Sequence, residues 1–222
     1  YSLKRTGAGD YGFIGTFPTS DVTRTISQGF GEVNKWNLVG NPFPSYIEVS
    51  ELIAANSANL SETHEFVYVW NGTNYVTLES SDYIHPGQAF FVNAANSTAD
   101  NFTITESLQS HQPEIIFSRE TNNPRIDVFI NDNDNNQKFT EIRYAENTTK
   151  ALDPGFDAGT FTGQSTSFSL FSHLVSNSEG VDFMIQSLPK DDYENTIIPL
   201  GLNADAGKEI TFTADAVNLP SG

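Results

Sequence analysis

The segment WNLVGNPFPSYI, residues 36–47, contains the pattern that decides the fold. A strand-like apolar run is followed by a turn that contains a glycine, an asparagine and two prolines. Gly40 can adopt a positive φ without cost, the proline after Asn41 biases that residue to extended backbone, and the two prolines stiffen the chain. The short amide of Asn41 can bond neighbouring backbone groups. We therefore predict a structural corner that leads from a buried strand into a short helix.

Short apolar and aromatic segments, bounded by Gly, Asn, Pro or Ser, recur along the chain and predict strands. Examples are EFVYVW (65–70), QAFFVNA (88–94), RIDVFIND (125–132) and VDFMIQSL (181–188). Phe90 and Phe91 are adjacent, so they should point to opposite faces of their strand and at least one should be core. One helix is predicted, within SYIEVSELIAANSANL (45–60), with Ser50 as its N-cap and Asn56 and Asn59 at its end. The fold class is therefore all-β with one short helix.

The number and spacing of these strands predict two β-sandwich domains in tandem, of jelly-roll or immunoglobulin-like type. We place the first domain at residues 1–110 and the second at 111–222, because the stretch 107–123 is polar at both ends, contains Pro113 and is followed by Pro124. The alternative is one continuous double-layered domain. The chain begins without a methionine or a signal peptide, so we expect it to be part of a longer or processed product.

The composition of the chain disfavours several classes of binding partner. With 28 acidic and 11 basic residues, the chain has a net charge of −17. Such a surface repels phosphate backbones and anionic lipid, which disfavours nucleic-acid binding. No apolar run approaches the length of a membrane span, so no membrane insertion is expected. The absence of cysteine excludes disulfides, thiolate metal sites and a cysteine nucleophile.

Motifs for catalysis are missing from the sequence. The four histidines (His64, His85, His111 and His173) are scattered, without an H-E-x-x-H pattern. No G-x-S-x-G nucleophile elbow is present, and the acidic residues form no compact cluster on a strand that would indicate glycoside hydrolysis. We expect that the chain is not an enzyme.

Two oxygen-rich segments raise the question of calcium, which takes hard oxygen ligands from loops. The first, INDNDNNQKF, offers Asp132 and Asp134, and the second, LDPGFDAG, offers Asp153 and Asp157. The first segment lacks the glycine and the final glutamate of an EF-hand loop. The sequence favours an Asn/Asp-rich hairpin turn as the explanation of the first segment, and turn or cap bonding to nearby amides as the explanation of the second. Ca²⁺ is the only cofactor that the sequence suggests.

The segment WNGTNY, residues 70–75, is the candidate for glycan binding. Sugar C–H groups pack on aromatic rings, while amides bond the hydroxyls. The candidate residues are Trp70, Asn71, Asn74 and Tyr75. A hairpin tip should form a shallow, exposed site, and the acidic surface favours neutral glycans over sulfated or uronic ones. The alternative is that Trp70 covers the edge of a sandwich and that Asn71 and Gly72 only make the turn.

Three segments in fixed order carry a family resemblance: WNLVGNPFPSYI, VYVWNGTNYVTL and IHPGQAFFVNA. Together with FDAGTFTG, SFSLFSHL, IPLGL and ITFTADAVNLPSG, they resemble a β-rich region of large secreted proteins of the Bacteroidetes. In those proteins the region lies upstream of the C-terminal sorting domain of the type IX secretion system. The resemblance covers most of the chain. It implies a non-catalytic module of a secreted protein, or of one on the outer surface of a Gram-negative bacterium.

From these observations we expect a module that binds polysaccharide or a cell-surface glycan, or that mediates adhesion, beside neighbouring domains of the same polypeptide. The alternative is a purely structural stalk that links a functional domain to the sorting domain.

Overall fold

The computed structural model describes residues 14–29, 35–111, 124–134, 136–163, 167–193 and 196–219. The fold is all-β with one short helix, as the sequence predicts. We call residues 14–111 the first half and residues 124–219 the second half. The first half contains the strands β1 (Val22–Ile26), β2 (Trp36–Gly40), β3 (Tyr46–Glu48), β4 (Tyr68–Trp70), β5 (Tyr75–Thr77), β6 (Tyr83–Ile84), β7 (Ala89–Asn93), β8 (Asp100–Ile104) and β9 (Gln109–Ser110), the helix α1 (Val49–Asn56), and 3-10 turns at Ser57–Asn59, Glu62–His64 and Glu106–Leu108.

The second half contains β10 (Arg125–Asp132), β11 (Gln137–Ala145), β12 (Ala158–Gly159), β13 (Ser169–Ser172), β14 (Phe183–Pro189), β15 (Leu200–Asn203) and β16 (Ile210–Val217). These strands form one seven-stranded sheet in the order β15-β13-β14-β11-β10-β16, and β12 pairs with β14. The pairing of β11 with β14 is parallel, while the other pairings in this sheet among the described strands are antiparallel.

Three smaller sheets make up the first half, with the orders β1-β8, β2-β7-β4-β5 and β6-β3-β9. Every sheet thus belongs to one half of the chain, although side chains from both halves share a hydrophobic cluster. Most of the predicted junction (residues 112–123) lies outside the described residues. The domain boundary at 110/111 and the tandem sandwich arrangement stay predictions.

The four-stranded sheet β2-β7-β4-β5 has two buried faces, because its side chains alternate between them. Phe90 is 1% exposed and belongs to the core of the first half, whereas its neighbour Phe91 packs toward the second half. The predicted division of these two phenylalanines is confirmed. The core of the first half consists of Ile26, Val39, Phe43, Ile47, Val49, Leu52, Leu60, Val67, Ile84, Phe90, Val92, Ala94, Phe102, Ile104 and Leu108.

The corner at Asn41 is structural, as predicted. The Asn41 side chain is buried; its Nδ2 donates to the carbonyls of Ser45 (2.8 Å) and His85 (3.1 Å), and its Oδ1 accepts from the N–H of Phe43 (2.9 Å). Both functions of the amide are therefore used inside the protein, where an unpaired polar group would cost free energy. These bonds place the fully buried Phe43 ring in the core.

The helix begins earlier than the sequence indicates. Glu48 is the N-cap and makes no side-chain cap bond, and Ile47 lies on β3 rather than in the helix. The predicted cap, Ser50, lies inside the first turn, where its hydroxyl donates to Glu48 Oε1 at 2.9 Å. The prediction of Ser50 as the cap is wrong, because the pairing of β3 with β6 and β9 holds residues 46–48 extended up to the helix. Asn56 ends the helix as predicted, and its amide bonds the carbonyl of Leu52.

The two halves meet in what we call the aromatic interface. Its first-half members are Trp36, Phe66, Tyr68 and Phe91, and its second-half members are Phe139, Ala158, Phe161, Met184 and Ile185. Two of the rings also bond across it: Tyr68 Oη donates to the carbonyl of Gly159 at 2.9 Å, and Trp36 Nε1 donates to Thr162 Oγ1 at 3.0 Å. Aromatic rings with polar atoms thus supply both the apolar contact and the orientation between the halves.

Gly159 lets the halves approach closely. A Cβ atom at this position would lie 2.3 Å from His64 Nε2, which is closer than real Cβ contacts. The His64 ring is buried and packs edge-on against Trp36, with 5.3 Å between the ring centroids. Glycine is therefore required here by the backbone's approach to the ring.

A charged contact lies beside the aromatic interface. Arg143 Nη1 and Nη2 donate to the two carboxylate oxygens of Glu79, at 2.9 and 2.5 Å, and Arg143 Nε donates to Glu141. Burial opposes the charge of Arg143, but the carboxylates of Glu141 and Glu79 outweigh it and raise the pKa of the guanidinium. The two-pronged geometry is the one in which Arg pairs best with a carboxylate, and it ties β11 to the first half.

Candidate functional site

The β4–β5 hairpin carries all four residues that the sequence singles out for glycan binding. Trp70 and Tyr75 are cross-strand partners in its final pair. Asn71 shapes the turn: its Oδ1 accepts from the backbone N–H groups of Thr73 (2.9 Å) and Asn74 (2.8 Å). Gly72 supplies the positive φ of +105° that the turn needs. The hairpin prediction is confirmed, and the Asn71 carbonyl oxygen is used by the turn itself.

The two aromatic rings of the hairpin differ in their exposure to solvent. Trp70 is 54% exposed, whereas Tyr75 is partly buried. The centroids of the two rings are 5.0 Å apart. Tyr75 stacks on Phe161 of the second half, with 4.0 Å between centroids and 24° between planes. Trp70 is therefore the ring that can accept a ligand on its surface, and Tyr75 connects it to the aromatic interface.

A groove opens between the hairpin and the second half. It encloses about 150 Å³. We call it the hairpin groove, and it is lined by Trp70, Thr73, Asn74, Tyr75, Lys138, Phe139, Thr160, Phe161, Ser169, Leu170 and Met184. Three of the four predicted glycan-binding residues thus line one wall, and Asn71 lies at the turn beside them. The predicted shallow tip is in fact one wall of a groove, because the second half packs against it.

One charged side chain, Lys138, lies among the residues that line the groove. Its Nζ donates to Asn74 Oδ1 at 2.7 Å, so strand β11 is bonded directly to the hairpin turn. Burial lowers the pKa of Lys138, since a charged amine is poorly stabilised away from water. The groove therefore combines aromatic surface with one ammonium group and one primary amide.

Sequence patterns could not have identified the second wall of the groove. Lys138 lies 64 positions after Asn74 along the chain, and Phe161 reaches Tyr75 only through the packing of the two halves. Lys138 lies in INDNDNNQKF and Phe161 in FDAGTFTG, but neither segment predicts a contact with the β4–β5 hairpin.

A family model described as "Domain of unknown function (DUF8693)" matches residues 71–218, which is more than half of the 222-residue chain. The chain belongs to the DUF8693 family. The description gives no activity, so membership assigns none. No curated protein and no solved structure is significantly similar to the chain.

The DUF8693 segment contains most of the groove but begins inside the hairpin turn. Asn71, Asn74, Tyr75, Lys138 and Phe161 lie within the matched residues. Trp70, the exposed ring, immediately precedes them. The segment also spans the predicted junction and all the described strands from β5 to β16.

Two of the candidate calcium ligands of the DUF8693 segment, Asp132 and Asp134, lie at the β10–β11 hairpin. Asp132 is buried, and its Oδ1 accepts from the N–H groups of Asp134 (3.0 Å) and Asn136 (2.9 Å). Lys208 Nζ lies 3.0 Å from Asp132 Oδ2 and 3.0 Å from Asp134 Oδ2. The hydrogen bonds from Asn136, and then those from Lys208 and Asp134, lower the pKa of Asp132. An ammonium group therefore stands between these carboxylates.

The other two candidates, Asp153 and Asp157, lie in the turn before β12. Asp157 is fully buried; its Oδ1 accepts from the N–H of Ser187 (2.6 Å) and its Oδ2 from the N–H of Asp153 (2.7 Å). Burial raises the pKa of Asp157 to about 7. The Asp153 carboxylate accepts from Thr149. These oxygens face N–H and O–H donors that support the turn.

The two aspartate pairs lie in separate turns. Within the described ranges, no group of three or more His, Asp and Glu side chains could hold a metal ion. The calcium site stays a prediction. Among the same residues, no helix is long and apolar enough to cross a bilayer.

Proposed function

We propose that the chain is a non-catalytic, polysaccharide-binding module of a secreted or cell-surface bacterial protein, and that it binds glycan at the hairpin groove. The exposed Trp70 ring at the edge of this groove carries the proposal. An indole more than half exposed, beside a second aromatic ring, offers the flat apolar surface on which a sugar ring packs. Asn74 and Thr73 supply hydrogen-bonding groups at the same edge.

A weak interaction is expected from this geometry. The groove encloses about 150 Å³, which is below the roughly 300–1,000 Å³ of sites that enclose a drug-sized ligand. It can hold a single sugar ring while the rest of a polymer stays outside. We expect dissociation constants of about millimolar to tens of micromolar, equivalent to roughly 4–6 kcal/mol.

The non-catalytic role is proposed because the sequence carries no catalytic motif. Two of its histidines have polar side-chain partners in the structure. His173 Nε2 lies 2.9 Å from Asp182 Oδ1, a pairing that can orient a catalytic base. No hydroxyl of a described residue is hydrogen-bonded to the His173 ring. His64 Nδ1 lies 2.8 Å from Thr63 Oγ1, and the His64 ring is buried against Trp36 and Gly159.

Retention on insoluble polysaccharides tests the proposal. Trp70→Ala should lose retention while keeping the melting temperature, because the ring is mostly exposed. Phe212→Ala is the matched control, since Phe212 is 52% exposed on β16 and lies outside the groove. Equal retention of the wild-type chain and Trp70→Ala would reject the hairpin as the site. Failure of the wild-type chain on every neutral and acidic glycan tested would reject glycan binding.

If the wild-type chain binds none of the glycans tested, a structural stalk becomes the better proposal. It is favoured by the pairing of Arg143 with Glu79, which, with the aromatic interface, joins the halves by contacts of several kinds. A stalk needs such a connection to transmit force without bending. A chain that binds no glycan and unfolds in one cooperative transition would fit this role.

A further inference from the structure

Lys138 differs from other lysines of the second half. Lys150 pairs with Asp192 at 2.7 Å, Lys190 with Glu146 at 2.7 Å, and Lys208 with Asp132 and Asp134 at 3.0 Å each. Lys138 forms no such pair with a carboxylate of the described residues. The only hydrogen bond of its side chain among them is the one to the Asn74 amide. In a chain with 28 acidic and 11 basic residues, an ammonium without an acidic partner is unexpected.

The position of this ammonium group is costly for the free protein. Lys138 is half-buried beside Phe139 and the hairpin rings, and burial lowers its pKa. A partly desolvated charge is stabilised when an opposite charge is placed beside it. The ammonium has three donors, of which Asn74 takes one. Two donors therefore remain for an anion in the groove.

We propose that the hairpin groove recognises an acidic sugar unit, a uronate, whose ring packs on Trp70 and whose carboxylate bonds the Lys138 ammonium. This inference rests on the proposed function and names its ligand class. The two contacts come from different halves of the chain, Trp70 from β4 and Lys138 from β11, and both residues line the groove. A ligand that uses both must therefore carry an apolar ring face and a negative charge on the same small unit, and a uronate does.

Charge balance favours one carboxylate over a densely charged ligand. Among the described residues that line the groove, Lys138 is the only charged one, so it can neutralise a single negative charge. The net charge of −17 repels polyanions such as highly sulfated glycans. That repulsion is screened beyond about 8–10 Å at physiological salt, whereas the contact with Lys138 is direct. The preference for neutral glycans, expected from the sequence, is thus reversed locally.

A matched pair of ligands tests the inference. Single galacturonate and glucuronate units, each with one carboxylate, are compared at pH 7 with their methyl esters, which keep the sugar ring and lose the charge. Binding is followed by tryptophan fluorescence, because Trp70 is exposed at the groove. We expect the acid forms to bind about tenfold more tightly than the esters, in line with a charge-assisted hydrogen bond. Lys138→Gln should reduce this preference to less than about threefold, with the loss confined to the acid forms.

The control variant is Lys190→Gln, which removes a lysine outside the groove and should keep the tenfold preference. Melting temperatures of both variants show that the comparison is made on folded protein. Equal binding of acid and ester, or an unchanged preference in Lys138→Gln, would overturn the inference while leaving the proposed function in place. A short acidic peptide that binds as tightly as the uronates, and through Lys138, would overturn the assignment to a sugar. Absence of binding to both acid and ester would overturn the inference. The proposed function would fall only if the wild-type chain were also retained on no other neutral or acidic glycan.

Discussion

The two faces of the β2-β7-β4-β5 sheet are buried by different chemistry. One face, with Phe90 and Val92, closes on the mostly aliphatic core of the first half. The other face, with Trp36, Tyr68 and Phe91, meets the second half through the aromatic interface. Aliphatic side chains interdigitate to high density, whereas large rings with polar atoms must also satisfy hydrogen bonds. The hairpin groove lies on the aromatic side, so the proposed glycan site depends on the face that joins the two halves.

The largest expected loss of stability distinguishes Phe90 from Phe91, two adjacent residues on opposite faces of the sheet. Phe90→Ala should destabilise the protein by about 3–5 kcal/mol, because it empties a fully buried position. Phe91→Ala should cost less, about 1–3 kcal/mol, since its ring is only partly buried and the groove beside it can admit water. Urea unfolding of both variants measures the difference. Equal losses would show that the two faces are packed alike.

The next expected effect is on the pH dependence of stability, through a buried carboxyl group beside strand β12 of the aromatic interface. Asp157 precedes β12, and burial raises its pKa to about 7. Between about pH 4 and pH 7 the folded protein keeps a proton that the unfolded chain has lost. Stability should therefore fall as the pH rises through this window, by on the order of 4 kcal/mol in total, and level off above it.

Unfolding free energies of the wild-type chain and Asp157→Asn, measured across this pH range, check the slope. The variant should be less stable at pH 5, because its NH₂ group would face a backbone N–H, and its pH dependence should be flatter. A slope that survives unchanged in Asp157→Asn would show that Asp157 does not cause it; Glu65 and Asp82 are the other described carboxyl groups whose pKa values are raised, mainly by burial.

A smaller loss of stability is expected at Gly159, where the two halves approach each other closely in the aromatic interface. Gly159→Ala would place a Cβ atom 2.3 Å from the His64 ring, and overpacking of this kind costs about 1–3 kcal/mol. The matched control is Gly40→Ala on β2, where the nearest atom to a Cβ would be 3.7 Å away. The control should change stability by less than about 1 kcal/mol. Thermal unfolding that shows equal stability for the two variants would mean that the halves do not meet at Gly159.

The smallest effect comes from a single hydroxyl. Thr160 Oγ1 is buried without a hydrogen-bond partner among the described residues, whereas Thr140 Oγ1 donates to the carbonyls of Phe183 (3.2 Å) and Met184 (3.3 Å). Thr160→Val should be neutral or stabilise the protein by up to about 1 kcal/mol, and Thr140→Val should cost about 1 kcal/mol. Chemical unfolding of the two variants shows whether each substitution raises or lowers the free energy of unfolding. A loss in Thr160→Val would reveal a partner for its hydroxyl.

The sequence predicted those features that depend on neighbouring residues. The Asn-Gly turn of the hairpin, the bonded amide of Asn41 and the division of Phe90 from Phe91 all follow from local patterns. The start of α1 was misplaced because strand pairing overrides the capping preference of Ser50. Features that need distant contacts were not predictable. Lys208 reaches Asp132 from 76 positions away, and Lys138 and Phe161 join the groove only after the halves have packed.

The pairing of β1 with β8 has a consequence for how the chain folds during its synthesis. Thr23 and Thr103 are bonded across the pair although they lie 80 positions apart. A ribosome that adds about 5–20 residues per second needs roughly 4–16 seconds to pass from one strand to the other. Until then β1 has no partner, and Ile26 has no closed core to enter. The first half can therefore reach its native state only after its eighth strand has emerged, which makes the closure of this sheet a late step in biogenesis.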